Sequence, residues 1–507
     1  MDQLPCWRIP ALVHLTGTGS EETGAADTLM MFAEGRWING DGCNPPASGG
    51  PTGPVSAACQ AKLDAVCNAK ANAECIDPTV KLYGKKALPM VGLFDGPGKA
   101  WRCYSVLGLD STHKHWNGTF PGFCSEDAGK LAAVYKSECG ASPAPAPPPH
   151  PASPKGALRA VFSRTSTDGG RSWGAVKLVA GGATAEGERT DPGPMWHAKT
   201  KTLVLHVGGA TLGAAGRSSA TWQLKSTDLG DSWSAPTNIS SQLGAAAGFR
   251  PGPAGGTTLK SGRMMVAGYG ELGQPWPYSQ GIDGCVGVWY SDNGERKPTP
   301  RALVLAATSA VKGKLAWTVG ESWQLANVAC DSPAHCNTSA KLFTQKITES
   351  VITELPGGGV LLDSRVDGAH LRRAAISKSG QTLLFDSRLA PAGSLLPDAG
   401  GNAGGLVTAG SSLFYSNSIS AAKDRTHMTV LRSDDKGSSW KRGALIFPGP
   451  AAYSDLSTVG DESAVGLAYE RVWNDTTVMT GASSSIWFVP VPTDLPPFEH
   501  PPLAAGA

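Results

Sequence analysis

Charge is scarce in this chain. Of 507 residues only 17% are Asp, Glu, Lys or Arg, and the formal net charge is +2. So weak a bias leaves no electrostatic footprint for nucleic acid or an anionic membrane. No apolar run approaches the length needed to span a bilayer, and the closing stretch PPFEHPPLAAGA lacks an anchor signal. Long stretches with apolar residues at helical spacing are missing, as are cysteine pairs of the CxxC type that would mark a zinc site. What is abundant is glycine (64) and proline (38), a composition that favours many short strands joined by turns. The length suits one large all-β domain with an insertion.

Eleven cysteines are present, seven of them between Cys43 and Cys139 in a loop-rich region. That density favours disulfides and an oxidising compartment. The sequons at Asn117, Asn238, Asn337 and Asn474 agree with secretion or residence in the secretory-pathway lumen. No signal peptide precedes the motif-bearing segment that begins at Trp7, which implies an upstream segment. Cys6 or Cys285 is the candidate partner for the odd cysteine of the region, and Cys330 and Cys336 are near enough to close a loop of their own.

A repeat organises the remainder. STDGGRSW (166–173), STDLGDSW (226–233) and SDDKGSSW (433–440) each read Ser-x-Asp-x-Gly-x-Ser-Trp, with degraded copies at 290–295 and 377–382. Asp168, Asp228 and Asp435 are placed to accept backbone N–H bonds inside a tight turn, the Gly permits positive φ, and the Trp packs beneath. Strand-like runs flank each copy, and the spacing suits one four-stranded blade per repeat. The expectation is an all-β, six-bladed β-propeller built from residues 1–42 and 156–497. A disulfide-rich insert at 43–155 would interrupt its first blade, ending in the proline-rich linker SPAPAPPPHPASPK, and 498–507 would form a tail.

Three arginines stand at the edges of apolar strand-like runs: Arg8 in CWRIPAL, Arg365 in LLDSR and Arg425 in KDRTHMTVL. Converging from successive blades, three guanidiniums would make a strong planar site for one carboxylate.

These segments resemble those of sialidases (exo-α-neuraminidases). WRIPAL followed by MMFAEGR (30–36) is similar to the family's opening, and ESVITELPGGGVLLDSR (349–365) to its Glu-bearing strand and second triad arginine. NSISAAKDRTHMTVLRSDDKGSSW (417–440), AAYSDL (451–456) and LAYER (467–471) resemble the third arginine strand, the nucleophile strand and the closing segment. The resemblance implies hydrolysis of terminal α-sialosides on glycoproteins, glycolipids or oligosaccharides, with retention and without a metal or organic cofactor. Arg8, Arg365 and Arg425 would clamp the sugar carboxylate, and Tyr453 would be the nucleophile with Glu349 as its base. A neutral phenol suits this substrate because a carboxylate nucleophile would be repelled by the carboxylate on the anomeric carbon. Asp41 would serve as acid and then base, with Asp110 in the insert as the substitute. Arg36 and Asp191 would line the pocket near the sugar 4-hydroxyl, and Glu470 would pin Arg8. A trans-sialidase or a non-catalytic sialoglycan-binding propeller is the alternative.

Overall fold

Ten consecutive buried residues, Cys6–Leu15, form the first strand, and the nine of Thr28–Arg36 beside it are buried throughout as well. Strands that show no alternation of buried and exposed positions are covered on both faces, as the inner strands of stacked sheets must be. The computed structural model describes residues 6–19, 27–36, 91–94, 159–181, 188–213, 216–246, 248–270, 285–291, 319, 323–330, 347–366, 371–377, 402–419, 425–472 and 484–498.

The strands are β1 (Cys6–Leu15), β2 (Thr28–Arg36), β3 (Val91–Phe94), β4 (Arg159–Ser166), β5 (Lys177–Ala180), β6 (Arg189–His197), β7 (Thr202–Gly213) and β8 (Gly216–Ser226). They continue as β9 (Thr237–Asn238), β10 (Arg250–Thr258), β11 (Met264–Gly270), β12 (Cys285–Ser291), β13 (Gln324–Cys330), β14 (Ile347–Glu354), β15 (Val360–Val366) and β16 (Leu371–Ser377). The last are β17 (Gly405–Ala409), β18 (Ser412–Ser418), β19 (Thr426–Ser433), β20 (Arg442–Val459), β21 (Ala464–Val472) and β22 (Ser484–Pro492).

Antiparallel pairing assembles these into small sheets in a propeller arrangement: β1-β2-β4-β5, β6-β7-β8-β9, β10-β11-β12-β13, β14-β15-β16 and β17-β18-β19-β20-β21-β22-β3. Six separate blades are expected from the repeats, whereas five sheets form among the described residues. The reason is β20, an 18-residue strand. Its first half pairs with β19 and its second half with β21, so one unbroken strand fuses two groups of strands. Around the channel β1 contacts β6, β6 contacts β10, β10 contacts β14, β14 contacts β17, β17 contacts β20, and β20 returns to β1.

The Asp-box turns form by the predicted chemistry. In the first, the Asp168 carboxylate accepts the Ser172 N–H at 2.9 Å, and the Trp173 indole N–H donates to the Gly170 carbonyl at 3.0 Å. The box tryptophans then bind the sheets together: Trp173 meets Phe488 edge-on at 5.3 Å and Trp233 meets Phe32 at 5.9 Å. Gly252 on β10 permits the close approach of β10 to β14, since a Cβ there would lie 2.0 Å from the Ser350 carbonyl oxygen.

Most of the 43–155 segment, with the disulfide-rich insert expected there, lies outside the described residues. Its one described piece, β3, hydrogen-bonds to β22 as the outer strand of the seven-stranded sheet. Cys6 is disulfide-bonded, and Cys285 stands directly opposite Cys330 in the register of β12 and β13. Among the described residues no helix is long and apolar enough to cross a membrane.

Candidate active site

The inner strands are irregular where the chemistry-bearing residues sit. Register shifts interrupt β1 between Arg8 and Ala11, β6 between Thr190 and Gly193, β10 between Pro251 and Gly256, β14 between Ile347 and Ser350, and β20 between Ala451 and Ser454. A bulge bends the strand and re-aims a side chain out of the ladder. Proline and glycine supply the local cause in RIP (8–10), TDPGP (190–194) and RPGPAG (250–255), and Ile9 and Asp191 adopt positive φ (55° and 49°).

These kinks gather one cluster around Tyr453. Its phenol donates to Glu349 Oε1 at 2.7 Å, and Arg365 Nη1 donates to Glu349 Oε2 at 2.9 Å and to the phenol oxygen at 3.4 Å. The guanidinium carbons of Arg8 and Arg425 lie 5.1 and 5.5 Å from the centre of the Tyr453 ring. Ile9, Ala403 and Ala452 pack around the same tyrosine. Arg8 is held from behind by Glu470, whose carboxylate accepts from Nε and Nη2 at 3.2 Å each and from the Ile9 N–H at 2.7 Å. Glu470 is fully buried, so this fork-to-fork pair fixes both the charge and the bulge of β1.

A second cluster adjoins the first and centres on Glu34, a residue the sequence reasoning passed over. Glu34 Oε2 accepts from Arg36 Nε at 2.8 Å and Nη2 at 2.7 Å, while Oε1 accepts the Asp191 N–H at 2.6 Å. Asp191 Oδ2 accepts from Thr190 Oγ1 and lies 3.7 Å from Arg250 Nε. Arg36 and Asp191 are thus brought together through Glu34, and Arg250 joins them. The signal for Glu34 was present in the AEGR tetrapeptide, two positions before Arg36 on the same strand face. Asp41 falls outside the described residues.

The electrostatics divide the roles. Burial raises the Tyr453 phenol far above the ordinary tyrosine range, and the Glu349 charge raises it further, against the lowering effect of the three arginines. Tyr453 is therefore neutral at rest. Burial works to raise Glu349, but Arg365, the Tyr453 hydrogen bond and Arg425 outweigh it and hold the carboxyl below its usual value. Burial lowers Arg425, and the nearby Arg365 and Arg8 add to the effect while Tyr453 and Glu470 oppose it. Three mutually repelling cations around a neutral phenol favour the arrival of an anion. Asp191 is pushed up to about 7, by burial first and then by Glu34, with Arg250 opposing.

Asp455, two residues beyond Tyr453, is also raised, to about 8, because burial outweighs its two backbone hydrogen bonds. Those bonds come from the N–H groups of Leu12 (2.7 Å) and Leu456 (2.8 Å), so the carboxyl clasps β20 to β1. Unfolded, the same group ionises at about 4. Between that value and about 8 the unfolded chain binds fewer protons than the folded one, so stability falls as pH rises through the window. Melting temperature is expected to decline from about pH 5 to about pH 8, and Asp455→Asn to make that decline shallower. An unchanged slope in the variant would contradict the assignment.

Strand pairing and Asp boxes define an Asp-box β-propeller in which three arginines gather around one buried tyrosine. The description of the BNR repeat-like domain matches residues 159–467, and the chain belongs to that family. A curated sialidase from Micromonospora viridifaciens is 26% identical over 382 residues, covering 70% of this chain and 50% of the relative. The chain thus spans half the length of that relative. Among solved structures, the NanB sialidase from Streptococcus pneumoniae matches with a TM-score of 0.51 at 10% identity, covering 98% of this chain and 70% of that one. The Trypanosoma rangeli sialidase in complex with sialic acid matches with a TM-score of 0.46 at 12% identity, covering 96% of this chain and 54% of that one. The resemblance to Asp-box sialidases expected from the motifs agrees with the BNR repeat-like domain and with the similarity to the curated sialidase.

Proposed function

We propose that the protein is a retaining exo-α-sialidase that hydrolyses terminal sialic acids on glycoproteins, glycolipids or oligosaccharides through a tyrosyl-enzyme intermediate. In this reading the fused seven-stranded sheet counts as two blades of a six-bladed propeller. The observation that carries the proposal is the Tyr453 phenol donating to Glu349 at 2.7 Å, with three arginines around the ring. Arg8, Arg365 and Arg425 bind the substrate carboxylate and place the anomeric carbon over the phenol. A carboxylate shared among the arginines weakens their pull on Glu349, whose basicity rises as substrate arrives.

Glu349 takes the phenol proton while the phenolic oxygen bonds to the anomeric carbon and the bond to the leaving oxygen breaks. Asp41 gives the leaving oxygen its proton, then removes one from the water that cleaves the intermediate, while Glu349 returns its proton to the departing Tyr453 oxygen. The carboxylate and the arginines also stabilise positive charge developing on the ring in both steps. Arg36 and Asp191 hold the sugar 4-hydroxyl, with Glu34 keeping them in register.

The test is cleavage of a 4-methylumbelliferyl α-sialoside by the disulfide-bonded protein, with free sialic acid as product. No turnover between about pH 4 and about pH 8 would overturn the proposal. Asp41 is tested by comparing leaving groups. Asp41→Ala is expected to slow a natural sialoside by about 10²–10⁴-fold and the activated aryl sialoside far less, since a good leaving group hardly needs an acid. Equal rates for wild type and variant on the natural substrate would exclude Asp41.

A further inference from the structure

The channel also holds a cavity away from the two clusters. Five inner strands line it with residues that follow those they give to the clusters. These are 12–14 after Arg8 on β1, 194–197 after Asp191 on β6, 256–258 after Arg250 on β10, 352–355 after Glu349 on β14 and 455–458 after Tyr453 on β20. The cavity therefore lies at the opposite end of the channel from the Tyr453 phenol. Its volume is about 640 Å³, within the range of small-molecule pockets.

Its lining holds hydrogen-bonding groups that the fold leaves unused. Thr258 Oγ1 is buried and has no hydrogen-bond partner among the described residues. The hydroxyls of Thr257, Thr353 and Ser457, which also line the cavity, have no partner among them either. Two other hydroxyls of the lining are committed: Thr408 donates to the Glu354 carbonyl, and Thr458 Oγ1 meets His14 Nδ1 at 3.0 Å. Buried polar side chains are satisfied in the large majority of cases, so four idle hydroxyls from β10, β14 and β20 around one cavity call for a partner from outside.

The charges of the lining balance. Lys199 and Lys260 stand at the rim with Glu354 and Glu462, whose carboxylates accept the N–H groups of Lys260 (2.8 Å) and Gly410 (2.7 Å). Burial lowers His14 and favours its neutral ring, and burial raises Asp455 to about 8, which leaves it mostly un-ionised at neutral pH. No dominant sign is left to attract an ion. Leu12, Ile352, Leu406 and Leu456 add an apolar wall. Hydroxyls that both donate and accept, set among apolar groups without net charge, complement a molecule that carries hydroxyls on an apolar ring.

We propose that this end of the channel binds a small neutral saccharide through Thr257, Thr258, Thr353 and Ser457. None of the four takes part in the reaction above, so the inference stands whether or not the sialidase reading does.

Saturation-transfer NMR on the full chain tests it, with lactose and the methyl glycosides of galactose, glucose and mannose as probes. At about 10 mM sugar even a millimolar site is largely filled, and wild type is expected to bind at least one of the probes. Thr353→Val combined with Ser457→Ala removes two hydroxyls at nearly constant shape. Affinity for the bound sugar, from titration, is expected to fall about 5- to 100-fold in that double variant, the size of two hydrogen bonds. Thr257→Val, at a less buried position, is expected to lose about 2- to 10-fold and decides the matter if the double variant does not fold. Binding of none of the sugars by wild type would overturn the inference. So would equal affinity in wild type and the folded variants, which would put the sugar elsewhere on the protein.

Discussion

Replacing Tyr453 by phenylalanine is expected to abolish turnover to within assay background while leaving the fold intact. The substitution deletes one oxygen from a ring that is otherwise packed by Ile9, Ala403 and Ala452, so the apolar contacts survive. What disappears is the phenolic oxygen proposed to bond to the anomeric carbon, together with its hydrogen bond to Glu349 at 2.7 Å. Glu349→Gln keeps the shape and removes the base, and a loss of about 10²–10⁴-fold in kcat is expected from it. The two losses should not add, because nucleophile and base act as a unit. Near-wild-type kcat in Tyr453→Phe, with an unchanged melting temperature, would remove the tyrosine from the mechanism.

The second large effect concerns stability. Glu470→Ala leaves Arg8 buried without the carboxylate that now accepts both its Nε and its Nη2, and strips the Ile9 N–H of its acceptor. Breaking a buried pair by removing one partner typically costs about 3–5 kcal/mol. For a chain of this size the melting temperature is expected to fall by roughly 3–5 °C. Sialoside KM should rise in the same variant, because Arg8 no longer has a fixed position. A variant as stable as wild type would mean that water or another acid replaces Glu470.

The part of the site legible in sequence was the part written in contiguous segments. RIP, LLDSR, YSDL and LAYER each carry a side chain and the strand that presents it, and the structure brings Arg8, Arg365, Tyr453 and Glu470 into one cluster. Three residues were not legible as site residues, for a common physical reason. Glu34 acts on the backbone of Asp191, Asp455 on the backbone of Leu12, and Arg250 on a carboxylate of another sheet. A partner on another sheet leaves no periodicity to read, even where the residue itself sits in a motif, as Glu34 does in AEGR and Asp455 in YSDL. The blade count differed for a local reason. Nothing in IFPGPAAYSDL marks the point where β20 stops pairing with β19 and starts pairing with β21, despite the Pro-Gly-Pro that commonly ends a strand.

The central claim is a covalent bond between Tyr453 and a sialic acid, and trapping it is the most direct test. A sialosyl fluoride carrying fluorine at C3 slows both steps by destabilising the cationic transition state, while its good leaving group lets the first step proceed. Digestion and mass spectrometry of the treated protein are expected to find one sugar adduct, on Tyr453 in the peptide containing AAYSDL, and none in Tyr453→Phe. An adduct on another residue, or full sialoside hydrolysis with no adduct at all, would contradict the account.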